Sequence, residues 1–398
     1  MKLLIVVDRY APEARSAAHL FEDLAKALAA RGHEVSVLAK RPTENIPCGS
    51  GPVAVEEVRD GVRVMRFSSP FGEPRASFLK AFDQFFFALR VLVRLVWGPR
   101  YDVVLVYSPP LLLAGACALS GVRLVVNLHD IYPRTAVELG RLRSPILIAA
   151  AGVLEDFVYQ RARHIIVPAP ASVAYLMEEK GLSAGKVSLV YNWVDLEGAF
   201  PGTGSAFLTE HELEGKFVVT YAGLVGVAQD LSALISAARL AQDDANLAFL
   251  VIGEGSELQR WKAEGAGLGN LRFLPTLPRA GYLDALRASH AGLIALSAEL
   301  RSPAIPGKLQ NLMALARPVL AIVPKGSAAA KTVAESGCGL TSEPGDGAAL
   351  LRAIARLRAD VGLRADLGEA GRRFAEENFA LGRAVDAFEF TLGAATAK

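Results

Sequence analysis

Gly307–Lys308 stands where a proline-rich loop gives way to a helix. Pro303 and Pro306 forbid helix before the loop ends, because proline fixes φ and removes a donor. From Lys308 onward, Leu309, Leu312, Met313 and Ala316 fall at helical spacing, until Arg317–Pro318 breaks the run ahead of a buried strand. The free N–H groups of the first turn then lie beside Gly307 and Lys308. Unpaired N–H donors, the positive end of a dipole and an ammonium together suit a phosphate. The same residues also describe a capped surface helix with a solvated lysine, so the neighbouring elements must decide.

His129–Asp130 is the second candidate, closing the apolar run Leu124–Leu128. A histidine at the carboxyl end of a strand points at the ligand crevice of a doubly wound sheet. The alternative is a histidine bonded to a neighbouring loop. His164 precedes a strand and reads as structural. His19, His33, His211 and His290 have no carboxylate or serine partner at useful spacing. No Ser/His/Asp or Cys/His arrangement emerges. No Asp-x-Asp pair occurs, so a metal-bridged diphosphate is not indicated. Cys48, Cys117 and Cys338 are scattered without metal-ligand spacing and fit packing roles in a reducing compartment.

Around these residues the chain alternates strand and helix. Leu3–Val7 reads as a buried strand and Ser16–Arg31 as a helix ending at Gly32, followed by the strand His33–Leu38: a βαβ unit. The loop between them carries Glu13, Arg15 and Ser16 and lacks a G-x-G-x-x-G fingerprint, yet its small residues let a ligand approach the helix start. Val62–Phe67, Val103–Tyr107, Leu124–Leu128, Ile165–Val167 and Val187–Tyr191 continue the strands, with helices at Ser144–Arg163 and Ser172–Gly181. Pro201–Gly202–Thr203–Gly204–Ser205 is made of turn formers and marks a linker. A second α/β series follows. Phe217–Tyr221 turns at Gly223, and Ala248–Ile252 ends in Gly253–Glu254–Gly255. Leu271–Leu274 leads into a turn holding Thr276 and Leu277, and Ala291–Leu296 and Val319–Val323 complete the alternation. The expected domains are residues 1–197 and 198–379, with the segment 380–398 packing back on the first. Two doubly wound α/β halves facing a central cleft make that cleft the default ligand site.

The totals are compatible with this. A chain of 398 residues is comfortable for two domains. Hydrophobic residues make up 52%, but no uninterrupted apolar run reaches membrane-spanning length. The N-terminus reads as a strand rather than a signal peptide, which points to a cytoplasmic protein. The net charge of +2 argues neither for nor against nucleic acid, and no nucleic-acid partner is expected.

In this order, several short patterns resemble the family-4 retaining glycosyltransferases of the GT-B fold over essentially the full length. They are Gly32–His33–Glu34–Val35–Ser36–Val37–Leu38, His129–Asp130, Val190–Tyr191–Asn192–Trp193–Val194–Asp195, Tyr221–Ala222–Gly223 with Ala228–Gln229–Asp230–Leu231, and Ile305–Pro306–Gly307–Lys308. The likeness is greatest to the WbuB-type aminosugar transferase branch. Two family features are absent. In place of the E-x7-E glutamates stand Pro303 and Asn311, and in place of the phosphate-binding Arg and Lys stand Leu224 and the Ala228–Gln229 pair.

The resemblance implies sugar transfer with retention, from a nucleotide-sugar of UDP type to a lipid-linked acceptor, with no cofactor and no metal. It implies His129 and Lys308 as catalytic residues. Gly223, Gly253, Thr276, Leu277, Arg301, Gly307, Lys308 and Asn311 would hold the donor; Glu13, Arg15, Ser16 and Asp130 would form the acceptor side. A non-catalytic partner subunit and another GT-B enzyme such as a sugar-nucleotide epimerase are the alternatives.

One further stretch suits a membrane surface. Read as a helix, Phe78–Trp97 puts Lys80, Asp83, Arg90 and Arg94 along one edge. Phe82, Phe85, Phe86, Leu89, Val93 and Trp97 fill the broader face. Phe85, Phe86, Arg90, Arg94 and Trp97 are the expected membrane-facing residues, in a protein peripheral on the inner face of the cytoplasmic membrane. The alternative is an ordinary core helix with one wet edge.

Overall fold

The computed structural model describes residues 1–13, 16–42, 53–70, 77–199, 202–300 and 305–397. Arg15, Cys48, Pro201, Arg301 and Pro303, named above, lie outside them. The chain divides into two compact units, residues 1–192 with 381–398, and residues 193–380.

The first unit begins with β1 (Lys2–Val6), α1 (Ser16–Ala30) and β2 (Glu34–Lys40). A hairpin follows, β3 (Glu56–Arg59) and β4 (Val62–Phe67), then α2 (Ser77–Trp97), β5 (Val103–Ser108), α3 (Leu111–Leu119) and β6 (Leu124–Leu128). The helices α4 (Arg134–Glu138) and α5 (Pro145–Arg161) precede β7 (His164–Val167). α6 (Pro170–Ala174) runs into a π-helical turn, Tyr175–Glu179, ahead of β8 (Val187–Leu189). The strands lie in the order β3-β4-β2-β1-β5-β6-β7-β8, all parallel except for the β3–β4 pair. Leu3, Leu4, Ile5 and Val6 have no exposed surface, since helices cover both faces of a parallel sheet. β3 is absent from the sequence reading, although its signal is present: Asp60 and Gly61, both at positive φ, make the two-residue turn of a hairpin.

The second unit holds α7 (Ser205–Glu210), β9 (Phe217–Ala222), α8 (Ser232–Leu240), β10 (Leu247–Ile252), α9 (Leu258–Glu264) and β11 (Leu271–Leu274). It continues with α10 (Arg279–Ala288), β12 (Ala291–Ala295), α11 (Gly307–Ala314), β13 (Val319–Ile322), α12 (Ala328–Ser336), β14 (Gly339–Ser342), α13 (Gly347–Ala359) and α14 (Val361–Asn378). The sheet order is β11-β10-β9-β12-β13-β14, parallel throughout. The stretch of turn formers leads directly into a helix, α7, whose Phe207 is buried. α15 (Leu381–Thr396) belongs to the first unit, where Arg31 bonds Asp386 at 2.6 Å and His33 meets Glu389 at 2.7 Å. His33 thus has a carboxylate partner that no sequence spacing reveals.

In both sheets the chain reverses its direction of winding at one place. In the first unit this is between β1 and β5, and in the second between β9 and β12. The loops leaving neighbouring strands diverge there and open a crevice at the carboxyl edge.

Candidate active site

In the second unit the crevice is built on glycine. Gly223 follows β9 at φ +129, and a Cβ there would meet Lys308 Cε at 2.5 Å. Gly253 follows β10 at φ +141, and its Cβ would strike the carbonyl oxygen of Gly223 at 2.1 Å. Only glycine adopts such angles without strain, and only glycine lets these backbones approach one another. The loop from Gly223 to Leu231 is tied down on both sides: Val225 N–H donates to Glu254 O at 2.8 Å and Ser297 N–H to Ala228 O at 2.9 Å.

Lys308, in the first turn of α11, crosses this crevice. Its Nζ donates to Tyr221 Oη at 2.6 Å and to Leu224 O at 3.2 Å, and lies 4.3 Å from the centre of the Tyr221 ring. No carboxylate pairs with it among the described residues. Burial therefore pulls the ammonium down to about 7. α11 starts at Gly307 behind Pro306, where Leu309 N–H donates to Pro306 O at 3.0 Å. A buried lysine with its pKa held low in this way regains its full charge when an anion binds beside it.

Asn311 stands one turn along α11. Its Nδ2 donates to Tyr282 Oη at 3.3 Å and to Gly307 O at 3.4 Å, which leaves the amide oxygen as the acceptor it can offer. Burial pushes the Tyr282 hydroxyl up to about 12, so it stays protonated. Tyr221 and Tyr282 are the residues sequence reasoning missed, because they lie 87 and 29 positions from the side chains they hold. Thr276 is exposed and Leu277 half-buried, in the loop that leaves the neighbouring strand β11.

In the first unit, His129 and Asp130 leave β6 beside the crevice. His129 N–H donates to Ser108 O at 2.9 Å, and its ring packs edge-on against Tyr107 at 4.9 Å. Tyr107 is itself braced by Phe21 at 5.3 Å. Desolvation lowers His129 to about 4 and pushes the Asp130 carboxyl up. At neutral pH the imidazole is therefore neutral, able to donate or accept one hydrogen bond at each nitrogen but carrying no charge.

Glu13 is buried, its carboxylate held by Arg9 Nη1 at 3.1 Å and 3.2 Å. The loop around it is fixed by Arg66, fully buried, which donates to Ala11 O at 2.8 Å and to Glu57 at 2.7 Å. Ser16 supplies the first backbone position of α1.

The helix α2 departs from the expected amphipathic arrangement. The polar edge does not stay together. Asp83 turns inward to Lys40 at 2.9 Å, and Arg94 reaches Met65 Sδ at 3.4 Å beneath the helix. Arg90 remains exposed, resting on the Phe67 ring and donating to Ser68 O at 3.1 Å. Arg94 is thus corrected from an outward to an inward-leaning position, because its stem packs along the helix while its head finds the sulphur. Phe82, Phe85, Phe86, Leu89, Val93, Val96 and Trp97 are all exposed, Trp97 by 78%. Phe87, Ala88, Val91 and Leu95 fill the core instead. The helix is apolar on its exposed face as well as on its buried one.

Two doubly wound parallel sheets, the second with a lysine-bearing helix start in its crevice, define the GT-B architecture. Residues 17–193 match the glycosyl transferase 4-like domain and residues 216–360 match glycosyl transferases group 1, so both halves are accounted for. The chain belongs to the glycosyltransferases of the GT-B fold, of the family-4 type. A probable glycosyltransferase of Pseudomonas aeruginosa, WbjE, is 29% identical over 282 residues, covering 69% of each chain. A putative colanic acid biosynthesis glycosyl transferase of Escherichia coli K12, WcaI, is 24% identical over 337 residues, covering 79% of this chain and 81% of its own. Among solved structures, Anabaena Alr3699/HepE in complex with UDP superposes with a TM-score of 0.72 at 18% identity, over 99% of this chain and 100% of that one.

Proposed function

We propose that the protein transfers a sugar from a UDP-sugar to a lipid-linked acceptor in the assembly of a bacterial surface polysaccharide, with retention and without a metal. The donor sugar in this reading is an N-acetylated amino- or deoxysugar. The observation that carries it is Lys308 in the glycine-built crevice of the second unit. A departing diphosphate needs positive charge and N–H donors aimed at its oxygens. Lys308 and the start of α11 provide both. Asn311, steadied by Tyr282, offers its amide oxygen to a ribose hydroxyl, in place of the family's glutamate. In the first unit the neutral His129 donates to a hydroxyl of the transferring sugar. Asp130 and the loop at Glu13 stand on the acceptor side.

The name of one relative, a putative colanic acid biosynthesis glycosyl transferase, supports a polysaccharide product, and the UDP complex of a structural neighbour supports the nucleotide. Thermal-shift measurement with UDP-, GDP- and dTDP-sugars tests the donor. UDP-sugars should raise the melting temperature, by about 2.7 kcal/mol of linkage at a hundred-fold excess over Kd. A shift confined to GDP-sugars would replace the donor assignment. Product analysis with the stabilising donor then separates transfer from epimerisation or an inert partner subunit.

A lipid-linked acceptor must be met at a bilayer. Among the described residues no helix is long and apolar enough to cross one. α2 suits docking instead, with exposed aromatics beside Arg90 and Lys80. Wild-type protein should float with anionic vesicles. Phe85→Ser and Phe86→Ser together with Lys80→Glu and Arg90→Glu should leave it at the bottom of the gradient, with UDP affinity intact. If the wild type stays at the bottom too, docking is rejected.

A further inference from the structure

α5 shares the reversed polarity of α2. Its acidic Glu155 is buried and bonded to Lys180 at 2.6 Å, while Ile146, Leu147 and Val153 stand 79%, 57% and 72% exposed. Ile146, Ala149, Ala150 and Val153 follow the i, i+3, i+4, i+7 spacing of one helical face, and from Pro145 to Leu154 no charged residue interrupts the run. α3 packs against both α2 and α5, and adds exposed Leu112 and Leu119 to the same layer. Monomeric soluble proteins rarely expose apolar surface this extended.

Charge and direction identify what covers it. Arg141 and Arg143, both exposed, stand immediately before α5, and Arg143 Nε is held on Gly140 O at 3.1 Å. Basic residues flanking exposed aliphatic ones match an anionic headgroup layer over a hydrocarbon interior. Each of the three helices ends a few residues before the next strand begins, α2 before β5, α3 before β6 and α5 before β7. Their starts therefore all lie at the carboxyl edge of the sheet, the edge that carries His129 and Asp130.

From this we infer that α5 is a second membrane anchor: the first unit rests on an anionic bilayer through the α2–α3–α5 layer, with the start of α5 inserted. This builds on the docking reading of α2 and adds an orientation to it. The carboxyl edge, and with it His129, is held at the depth where a lipid-linked sugar is presented.

Brominated-lipid quenching separates the two claims. In wild-type protein Trp97 on α2 is the exposed indole, while Trp193 and Trp261 are buried. Ile146→Trp in a Trp97→Phe background moves the reporter to α5. With phosphatidylcholine–phosphatidylglycerol vesicles carrying bromine on the acyl chains, both reporters should be quenched relative to unbrominated vesicles. Ile146→Glu with Leu147→Glu should weaken vesicle partitioning about ten-fold or more while α2 is unchanged. Quenching at Trp97 with none at position 146 would overturn the α5 anchor and leave docking through α2. Quenching at neither position would reject both. A dimer in sedimentation that Ile146→Glu with Leu147→Glu dissociates, without vesicle binding, would assign the face to a second copy and overturn the inference. UDP titration of every variant verifies that it is folded.

Discussion

Lys308→Ala weakens UDP binding by about ten-fold or more, the loss expected when a charge-assisted contact worth about 1.5–3 kcal/mol is removed. The wild-type affinity also carries a pH signature. With the ammonium pulled down to about 7 by burial, only part of the free protein holds the charge at neutral pH. A bound diphosphate favours the charged form, so binding takes up a proton. A terminal phosphate itself titrates near about 6 and is fully ionised above pH 7. UDP affinity should therefore be greatest near pH 7 and fall as pH rises above it, by up to about ten-fold per unit. Lys308→Ala should show a flat profile over pH 7–9. Lys308→Arg keeps its charge throughout that range and should flatten the profile too, at a cost in fit against Tyr221. Isothermal titration at several pH values in buffers of different ionisation enthalpy measures both affinity and proton uptake. Unchanged affinity in Lys308→Ala would place the diphosphate elsewhere.

The legible parts of the fold and site were those written locally. Pro306–Gly307–Lys308 announces a helix start, because proline and glycine act on their own φ and on their immediate neighbours. The apolar runs of β1, β5 and β6 read as buried parallel strands because both faces of each are covered. What stayed hidden depends on the third dimension. Periodicity divides α2 into faces, but both faces are apolar, and nothing in the spacing says which one meets the sheet. The inward turn of Asp83 depends on Lys40, 43 positions away on another element. Ser144–Arg163 reads from sequence as a helix with no side assigned, and the structure puts Ile146 and Val153 outside, since Glu155, Val158 and Tyr159 take the buried side. Glu13 looked like an available carboxylate, but the fold closes Arg9 over it. Tyr282 could not be linked to Asn311 before the packing of α10 beside α11 was known, and Tyr221 could not be linked to Lys308 by any local rule.

His129→Ala lowers turnover by about a hundred-fold, some 2.7 kcal/mol of transition-state stabilisation, with little change in UDP affinity. His129 belongs to the first unit and Lys308 to the second, and the proposed function gives the diphosphate to Lys308 and the transferring sugar to His129. Its contribution is confined to the sugar as it is transferred, and an interaction felt chiefly then alters kcat more than KM. The neutral state fixes the kind of interaction. With its pKa depressed to about 4, His129 loses no charge between pH 5 and 8. The rate should therefore show no limb near the ordinary imidazole value of about 6.5. A neutral ring works as a hydrogen-bond donor held by Tyr107 and by the backbone bond to Ser108. His129→Gln retains a donor and should recover part of the loss, whereas His129→Phe keeps the packing on Tyr107 and should not. Steady-state kinetics with the stabilising UDP-sugar, alongside UDP titration, read the division between kcat and binding. Loss of UDP affinity with an unchanged turnover number would move His129 out of the reacting site and into the support of the nucleotide.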